Sequence, residues 1–376
     1  MGKNLTPTRS PNRICAHALI SLWKCPPDQY VICISICGVD GVLMNLPFKD
    51  LLILFYLQRY SFLTIRQVMK ALDDGRGYQT IGQKLLEMAK TGLVGFSKGP
   101  VAVFKKGPKI YYLKKNGYEV LLDRKIPVEL LGRFREKHYP VWTVQTQRRL
   151  HLNDVFLSLE AGIKGIAGLE LIRIFLEYNG VNHGSNVLAE TTDFFSEDEQ
   201  GNNKIVPDGA FILQRRRKEK RLFLVEMDMG TERGSNRVGK NSTSALPERL
   251  RKYEAYLQSR KYAQKYQEWG EFKDFTLLWV THSADRANNG RKKILDLSPQ
   301  FHNYYFLNSY DAVATSFFNR EWKMGAVDSD QGLGLLDNLW NNEENEARKL
   351  RATPDKKIWD KINNFEKTAD RYCNIP

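Results

Sequence analysis

Two short apolar runs, Ala210 to Leu213 and Leu222 to Val225, flank the basic stretch Gln214 to Arg221. Runs of this length around a polar turn predict two strands of a hairpin. Pro207-Asp208-Gly209 precedes the first run, and the second continues into Val225-Glu226-Met227-Asp228-Met229-Gly230-Thr231-Glu232. Pairing the strands brings Asp208 and Glu226 to neighbouring strand ends. Alternation along a strand then points Glu226 and Asp228 to the same side, so three carboxylates could converge. An oxygen-only set suits a hard divalent cation, magnesium or manganese, with Asp208, Glu226 and Asp228 as its ligands. The plainer alternatives are an ordinary turn at Asp208-Gly209 and a salt-bridge network from Glu226 and Asp228 to Arg249, Arg251 or Lys252. Two carboxylates on an apolar strand cost energy until a cation or donors satisfy them.

The charge of the chain is local. Its net +14 comes mostly from residues 44–140, which carry 18 Lys and Arg against 8 Asp and Glu, whereas residues 141–376 are nearly balanced. A basic module beside a near-neutral one implies that the first holds a polyanion, double-stranded DNA being the expected partner. A length of 376 residues allows two domains with separate cores. Hydrophobic residues at 42% and charged residues at 27% describe a globular protein, and no apolar run approaches the ~20 residues of a membrane span. With no cleavable signal peptide either, the expected location is cytoplasmic, without a membrane partner. Cys15, Cys25, Cys33 and Cys37 crowd the start of the chain at intervals that match no close-paired zinc pattern. They read as reduced thiols of a leader, residues 1–43, of doubtful structure. Met44 stands just before a good helix start.

From there the expected organisation is a DNA-binding domain at 44–125, a connector at 126–149, an α/β domain at 150–318 and a polar tail at 319–376. Pro47 opens a helix whose apolar face includes Leu51, Leu54 and Phe55. Thr64 is the predicted N-cap of a second helix, Ile65 to Leu72. A third runs from Tyr78 to Lys90 and ends at Gly92. Two strands, Leu93 to Phe96 and Ile110 to Leu113, follow around a lysine-rich tip. This order reads as a winged helix-turn-helix, and the run Tyr111 to Tyr118 resembles the exit from the wing in bacterial winged-helix regulators. In that fold the third helix enters the major groove, with Arg76, Tyr78, Gln79, Thr80, Gln83 and Lys84 as candidate contacts. Lys98, Lys105, Lys106 and Lys109 of the wing would meet phosphate, which positions without specifying sequence. A solvated lysine face or a protein-binding winged helix is the alternative.

Beyond the connector, a helix is expected from Leu150 to Ile163, then a strand near Leu169 to Tyr178, a polar passage, the hairpin, a glycine-rich loop and a helix from Glu248 to Gln258. Phe275 to Val280, Ala284 to Leu295 and Tyr304 to Leu307 complete a strand, helix, strand series. Alternating elements imply a mixed sheet of the α/β class. Arg215 to Lys218 reads as a solvated hairpin tip and His151 as a helix residue with a local hydrogen bond.

The element order with Pro207, Asp208 and Glu226 resembles the PD-(D/E)xK (restriction-endonuclease-like) nuclease fold. The resemblance implies metal binding by Asp208 and Glu226 and a lysine two residues on, where this chain has Asp228. Lys252 on the following helix would replace it, although a lysine there is more often solvated. Taken together, His151, Pro207, Asp208, Glu226, Asp228, Gly230, Thr231, Glu232, Lys252 and Tyr253 resemble the replication-relaxation family of plasmids and other mobile elements. That resemblance implies an N-terminal winged helix, a nuclease-like domain, a role in replication or DNA relaxation, and partnership with DNA, with other replication or mobilisation proteins, or with a second copy as a homodimer. It leaves two functions open: a magnesium- or manganese-dependent nickase with Asp208, Glu226 and Lys252 as catalytic residues, or a non-catalytic replication, copy-number or transcription regulator.

Overall fold

The structure is a computed structural model that describes residues 46–98, 108–126, 131, 134, 143–183, 186–196, 203–215, 219–228, 245–297, 302–325 and 335. The leader with its cysteines, Lys105, Lys106, the loop of Gly230, Thr231 and Glu232, and most of the tail lie outside the described residues.

The first module begins with helix α1, Phe48–Tyr60, directly after Pro47, a residue suited to a helix start because the first N–H groups of a helix have no partner in it. Its buried face is Ile53, Leu54, Tyr56, Leu57 and Tyr60. Strand β1, Leu63–Thr64, runs straight into helix α2, Ile65–Leu72. Thr64 and Gln67 form a reciprocal capping box: each side chain accepts from the other's backbone N–H, at 3.3 and 3.0 Å. Helix α3, Tyr78–Lys90, buries Ile81, Leu85 and Met88 and stops before Gly92, whose φ of +75° is the left-handed conformation that ends helices. Strands β2, Val94–Lys98, and β3, Lys109–Leu113, pair antiparallel, with β1 on the far edge of β3. Helix α4, Lys115–Asp123, closes the module.

Helix α5, Val144–Lys164, begins earlier than the sequence pattern indicates, inside the stretch expected as a connector. The Thr143 hydroxyl accepts from the Thr146 N–H at 3.1 Å and caps it. Its first turns are polar, which is why the apolar period becomes visible only at Leu150. Strand β4, Leu169–Leu176, follows as expected. The polar passage holds two small antiparallel pairs that carry no clear sequence signal: β5, Gly180–His183, with β6, Asn186–Ala189, and β7, Asp193–Phe194, with β8, Lys204–Ile205.

The hairpin forms from β9, Gly209–Arg215, and β10, Lys220–Asp228. Helices α6, Ala245–Ser259, and α7, Lys261–Lys265, lead to β11, Phe275–Thr281. Helix α8, Ala284–Leu297, leads to β12, Tyr305–Ser309; α9, Tyr310–Thr315, and β13, Lys323–Met324, complete the described chain. The six-stranded sheet has the order β13-β12-β11-β10-β9-β4. Its β10-β11 and β11-β12 pairs are parallel and the others antiparallel, so this is the mixed sheet of an α/β protein. One face packs a core that includes Leu222, Leu224, Tyr253, Tyr256, Phe275 and Ile294. Phe156 of α5, Phe211, Phe223 and Phe317 pack against one another elsewhere in the sheet module. No helix among the described residues is long and apolar enough to cross a membrane.

Helix α5 also meets the first module. Asn153, fully buried, donates from Nδ2 to the carbonyls of Tyr60 and Phe62 at 3.3 and 2.9 Å and accepts the Tyr178 hydroxyl at 2.5 Å. Gln67 Nε2 donates to the Leu150 carbonyl at 2.7 Å. Buried side-chain bonds thus span the two modules.

Candidate functional site

The register of β9 and β10 builds the site. Their ladder ends at Val225 opposite Gly209, which leaves the Met227 N–H beyond the last pair. Asp208, immediately before β9, takes that donor on Oδ2 at 2.7 Å and is buried to 1% exposure. Gly209 is required by close packing: a Cβ there would stand 2.6 Å from two ring carbons of Phe156. Glu226 is on the same strand face as Leu222 and Leu224, toward α6. Tyr253 of α6 donates its hydroxyl hydrogen to Glu226 Oε1, and Arg249 NH1 stands 3.8 Å from Oε2.

A third carboxylate completes the group, and it is Glu177, not Asp228. Glu177 follows β4 on the other side of β9, and its N–H donates to the Asp208 carbonyl at 3.1 Å, which carries the sheet one step past Gly209. Helix α5 meets these acids with its polar first turns. Arg148 pairs with Asp208 through NH2, Arg149 Nε lies 3.6 Å from Glu177 Oε1, and Gln145 Nε2 donates to the same oxygen at 3.1 Å. Burial, and then the charge of Asp208, push both Glu177 and Glu226 up; for Glu226 the value reaches about 8. The charge of Asp208 makes ionisation of Glu177 and Glu226 harder, as a carboxylate sharing a site does.

Above them opens a cavity of about 330 Å³ lined by Arg148, Glu177, Lys204, Ile205, Val206, Glu226, Arg249, Lys252 and Tyr253. Four cationic side chains therefore face a space floored by acids. Lys252 is on its wall, with Nζ 3.4 Å from Glu248 one helical turn back. Of the family-motif residues, Tyr253 is part of the site. His151, three residues after Arg148 on α5, does not line the cavity: its ring packs on Tyr310 at 4.5 Å, and its Nδ1 is buried without a hydrogen-bond partner, so the expected local bond does not form at that atom.

The expected convergence of Asp208, Glu226 and Asp228 does not form. Arg286 of α8 holds Asp228 through two hydrogen bonds, Nε to Oδ2 at 2.7 Å and NH2 to Oδ1 at 2.9 Å. Alternation does put Asp228 on the Glu226 side, but at the strand end it turns to α8 while Glu226 turns to α6. Among the described residues no group of three or more His, Cys, Asp or Glu side chains is placed to hold a metal ion. The salt-bridge alternative holds for Glu226 through Arg249, and Asp228 has a network of its own with Arg286.

In the first module, Tyr78, Gln79, Thr80 and Gln83 are exposed along α3. Arg76 and Lys84 turn inward instead. Both reach the buried carboxylate of Asp50 in α1, at 3.6 and 3.1 Å, and Arg76 Nε also bonds Asp74 at 2.7 Å. Lys98 and Lys109 face each other as the cross-strand pair nearest the segment that connects the two strands, with Lys109 Nζ 5.1 Å from the Phe96 ring centre. Like charges directly opposite destabilise a ladder.

A helical module with a β-hairpin, followed by a mixed α/β module with a buried acid group and a cationic cavity, defines the class of this protein. The chain belongs to the replication-relaxation family, whose sequence model matches residues 54–270. No curated protein matches it.

Proposed function

We propose that the protein binds duplex DNA of a plasmid or other mobile element through a winged helix, and cleaves a phosphodiester in a PD-(D/E)xK-like second module. The observation that carries this reading is the meeting of Asp208 and Glu226 from adjacent strand ends below a cavity lined by Arg148, Lys204, Arg249 and Lys252. Buried acids suit a hard cation, and the cations around them suit the phosphate of a nucleic acid. A magnesium or manganese ion at Asp208 and Glu226 would neutralise developing charge and lower the pKa of a water. Lys252 and Arg249 would orient the phosphate, and Tyr253 would fix the Glu226 carboxylate. On the first module, exposed Tyr78, Gln79, Thr80 and Gln83 would face the groove, while the opposed Lys98 and Lys109 would share a phosphate. Family membership supports the setting of replication or DNA relaxation.

Nicking of supercoiled plasmid with magnesium by the purified chain, abolished by Asp208→Ala and by Glu226→Ala, is the expected result. Absence of cleavage on supercoiled, linear and single-stranded DNA would end the enzymatic reading. A second reading, a non-catalytic replication or copy-number regulator, is favoured by Asp228: it stands where the nuclease fold has lysine, and Arg286 holds it. That reading expects DNA retention insensitive to both chelator and Asp208→Ala.

A further inference from the structure

The cavity of the second module is set up for an anion. Its lining carries four cationic side chains against two glutamates, and the cations come from three elements: Arg148 from α5, Lys204 from β8, Arg249 and Lys252 from α6. The two acids are tied down where they stand. Glu226 accepts the Tyr253 hydroxyl on Oε1, and Glu177 accepts from Gln145 Nε2 at 3.1 Å. The cations are less committed. Lys204 is exposed and has no ion-pair partner among the described residues. Lys252 pairs with Glu248, whose side chain is 58% exposed, and surface pairs of that kind hold a lysine weakly. Arg148 grips Asp208 through NH2 while its Nε has no hydrogen-bond partner, so the pair does not exhaust its donors. The lining is not all ionic. Ile205 and Val206 add an apolar stretch next to Lys204, and Val206 remains exposed. A volume of about 330 Å³ is at the lower end of small-molecule pockets, room for a phosphate with its sugar and too little for a duplex to enter.

We propose that this cavity receives a terminal phosphate, the phosphate monoester of a nucleic acid strand end or of a mononucleotide, with the phosphate among Arg148, Lys204, Arg249 and Lys252 and the sugar against Ile205 and Val206. The inference rests on the nucleic-acid part of the reading above and on none of its cleavage part, since it requires no metal ion and no bond broken. Cations converging from three elements need an acceptor that presents oxygens in several directions. A phosphate monoester has three strong acceptor oxygens and up to two negative charges. A carboxylate or an internal phosphodiester offers two free oxygens and one charge, and the diester must also leave the cavity in both chain directions. Strand β8 supplies both parts of the recognition, because the charge of Lys204 is followed directly by the apolar pair.

The test is fluorescence anisotropy of the full chain in chelator, with a short, internally labelled single strand phosphorylated at either end or at neither. Competitors are a deoxynucleoside monophosphate, the matching nucleoside and inorganic phosphate. A terminal phosphate should tighten binding by about tenfold or more, the size of one or two charge-assisted hydrogen bonds. Lys204→Gln and Arg249→Gln should each remove most of that gain and leave affinity for the unphosphorylated strand largely unchanged. The monophosphate should displace the phosphorylated strand and the nucleoside should not. Inorganic phosphate should compete more weakly, because it leaves Ile205 and Val206 bare. A monophosphate that binds wild type but not Lys204→Gln, with all strands held alike, supports the site with a free nucleotide as its ligand. Should a variant fail to fold, protection of Lys204 and Lys252 from acetylation by the monophosphate, read by mass spectrometry on wild type, tests the same contacts. Strands held alike with no binding of the monophosphate overturn the proposal, as does an end preference that survives both substitutions, inorganic phosphate that competes as well as the monophosphate, or lysines that stay reactive while the monophosphate is bound. Each of these leaves magnesium-dependent nicking to stand on its own assay, and absence of nicking leaves an end preference measured in chelator intact.

Discussion

The amide of Asn153 and the carbonyl of Phe62 are 2.9 Å apart, and this bond fastens the central helix of the α/β module to the segment that leads into β1. The same side chain serves the Tyr60 carbonyl and the Tyr178 hydroxyl. Asn153→Ala strips partners from three groups in a dry setting. The expected loss is about 3 kcal/mol or more of unfolding free energy, given ~1–3 kcal/mol for each buried group left unmade. Urea denaturation should read it, and amide exchange should show α1 and α2 opening before the six-stranded sheet.

His151 supplies a pH dependence. Burial, with His282 adding to it, lowers its pKa from 6.5, against the opposite pull of Asp154 and Asp311. A depressed folded pKa means the unfolded chain takes up the proton first. The stability from the neutral ring is therefore complete above pH 6.5 and declines as pH falls through the folded value. Melting temperatures measured downward from pH 8 should fall more steeply in wild type than in His151→Gln; parallel curves would remove His151 from the account.

Gly209 next to Phe156 allows a packing test. The added methyl of Gly209→Ala would meet the ring at 2.6 Å, and overpacking of that kind costs about 1–3 kcal/mol. Phe156→Leu should partly rescue it in a double-mutant cycle. Losses that simply add would show that the strain lies elsewhere.

Arg76 and Lys84 are expected to matter for folding more than for DNA. Asp50→Ala removes the buried acid that both cations share, leaving Arg76 with Asp74 and Lys84 with Glu87, and should cost about 1–3 kcal/mol. Lys84→Gln should lower the melting temperature while leaving duplex affinity within about twofold of wild type, which fluorescence anisotropy would check.

Lys98 and Lys109 should behave in the opposite way. Replacing both with alanine removes a repulsion across the ladder, so stability should hold or rise by a few tenths of a kcal/mol, about the size of one cross-strand pair. DNA affinity should drop for every sequence, and the slope of log affinity against log salt should flatten by about 1.8 if each lysine meets one phosphate. An unchanged slope would separate the hairpin from DNA.

Much of this was legible because the signals were local. Thr64 with Gln67, and Gly92 after Lys90, mark helix ends within a few residues of the bonds they make. The β9-β10 hairpin was legible because alternation and a polar turn are short-range properties too. The polar start of α5 was not, since Gln145, Arg148 and Arg149 break the apolar period by turning toward Glu177 and Asp208. Those residues are hard to find for the reason they matter. The partner of Asp228 lies 58 positions away in another helix, a distance that no spacing rule spans. Glu177 looked like an ordinary strand end, and only the sheet order places it beside Asp208.

One helix, α5, carries Arg148 at the acids and Asn153 at the first module, five residues or roughly 7.5 Å apart along its axis. Between them lies continuous helical backbone with no hinge. A torque applied at the Phe62 carbonyl rotates the guanidinium side of the cavity as part of the same rigid rod. A load on the first module is therefore felt at Asp208.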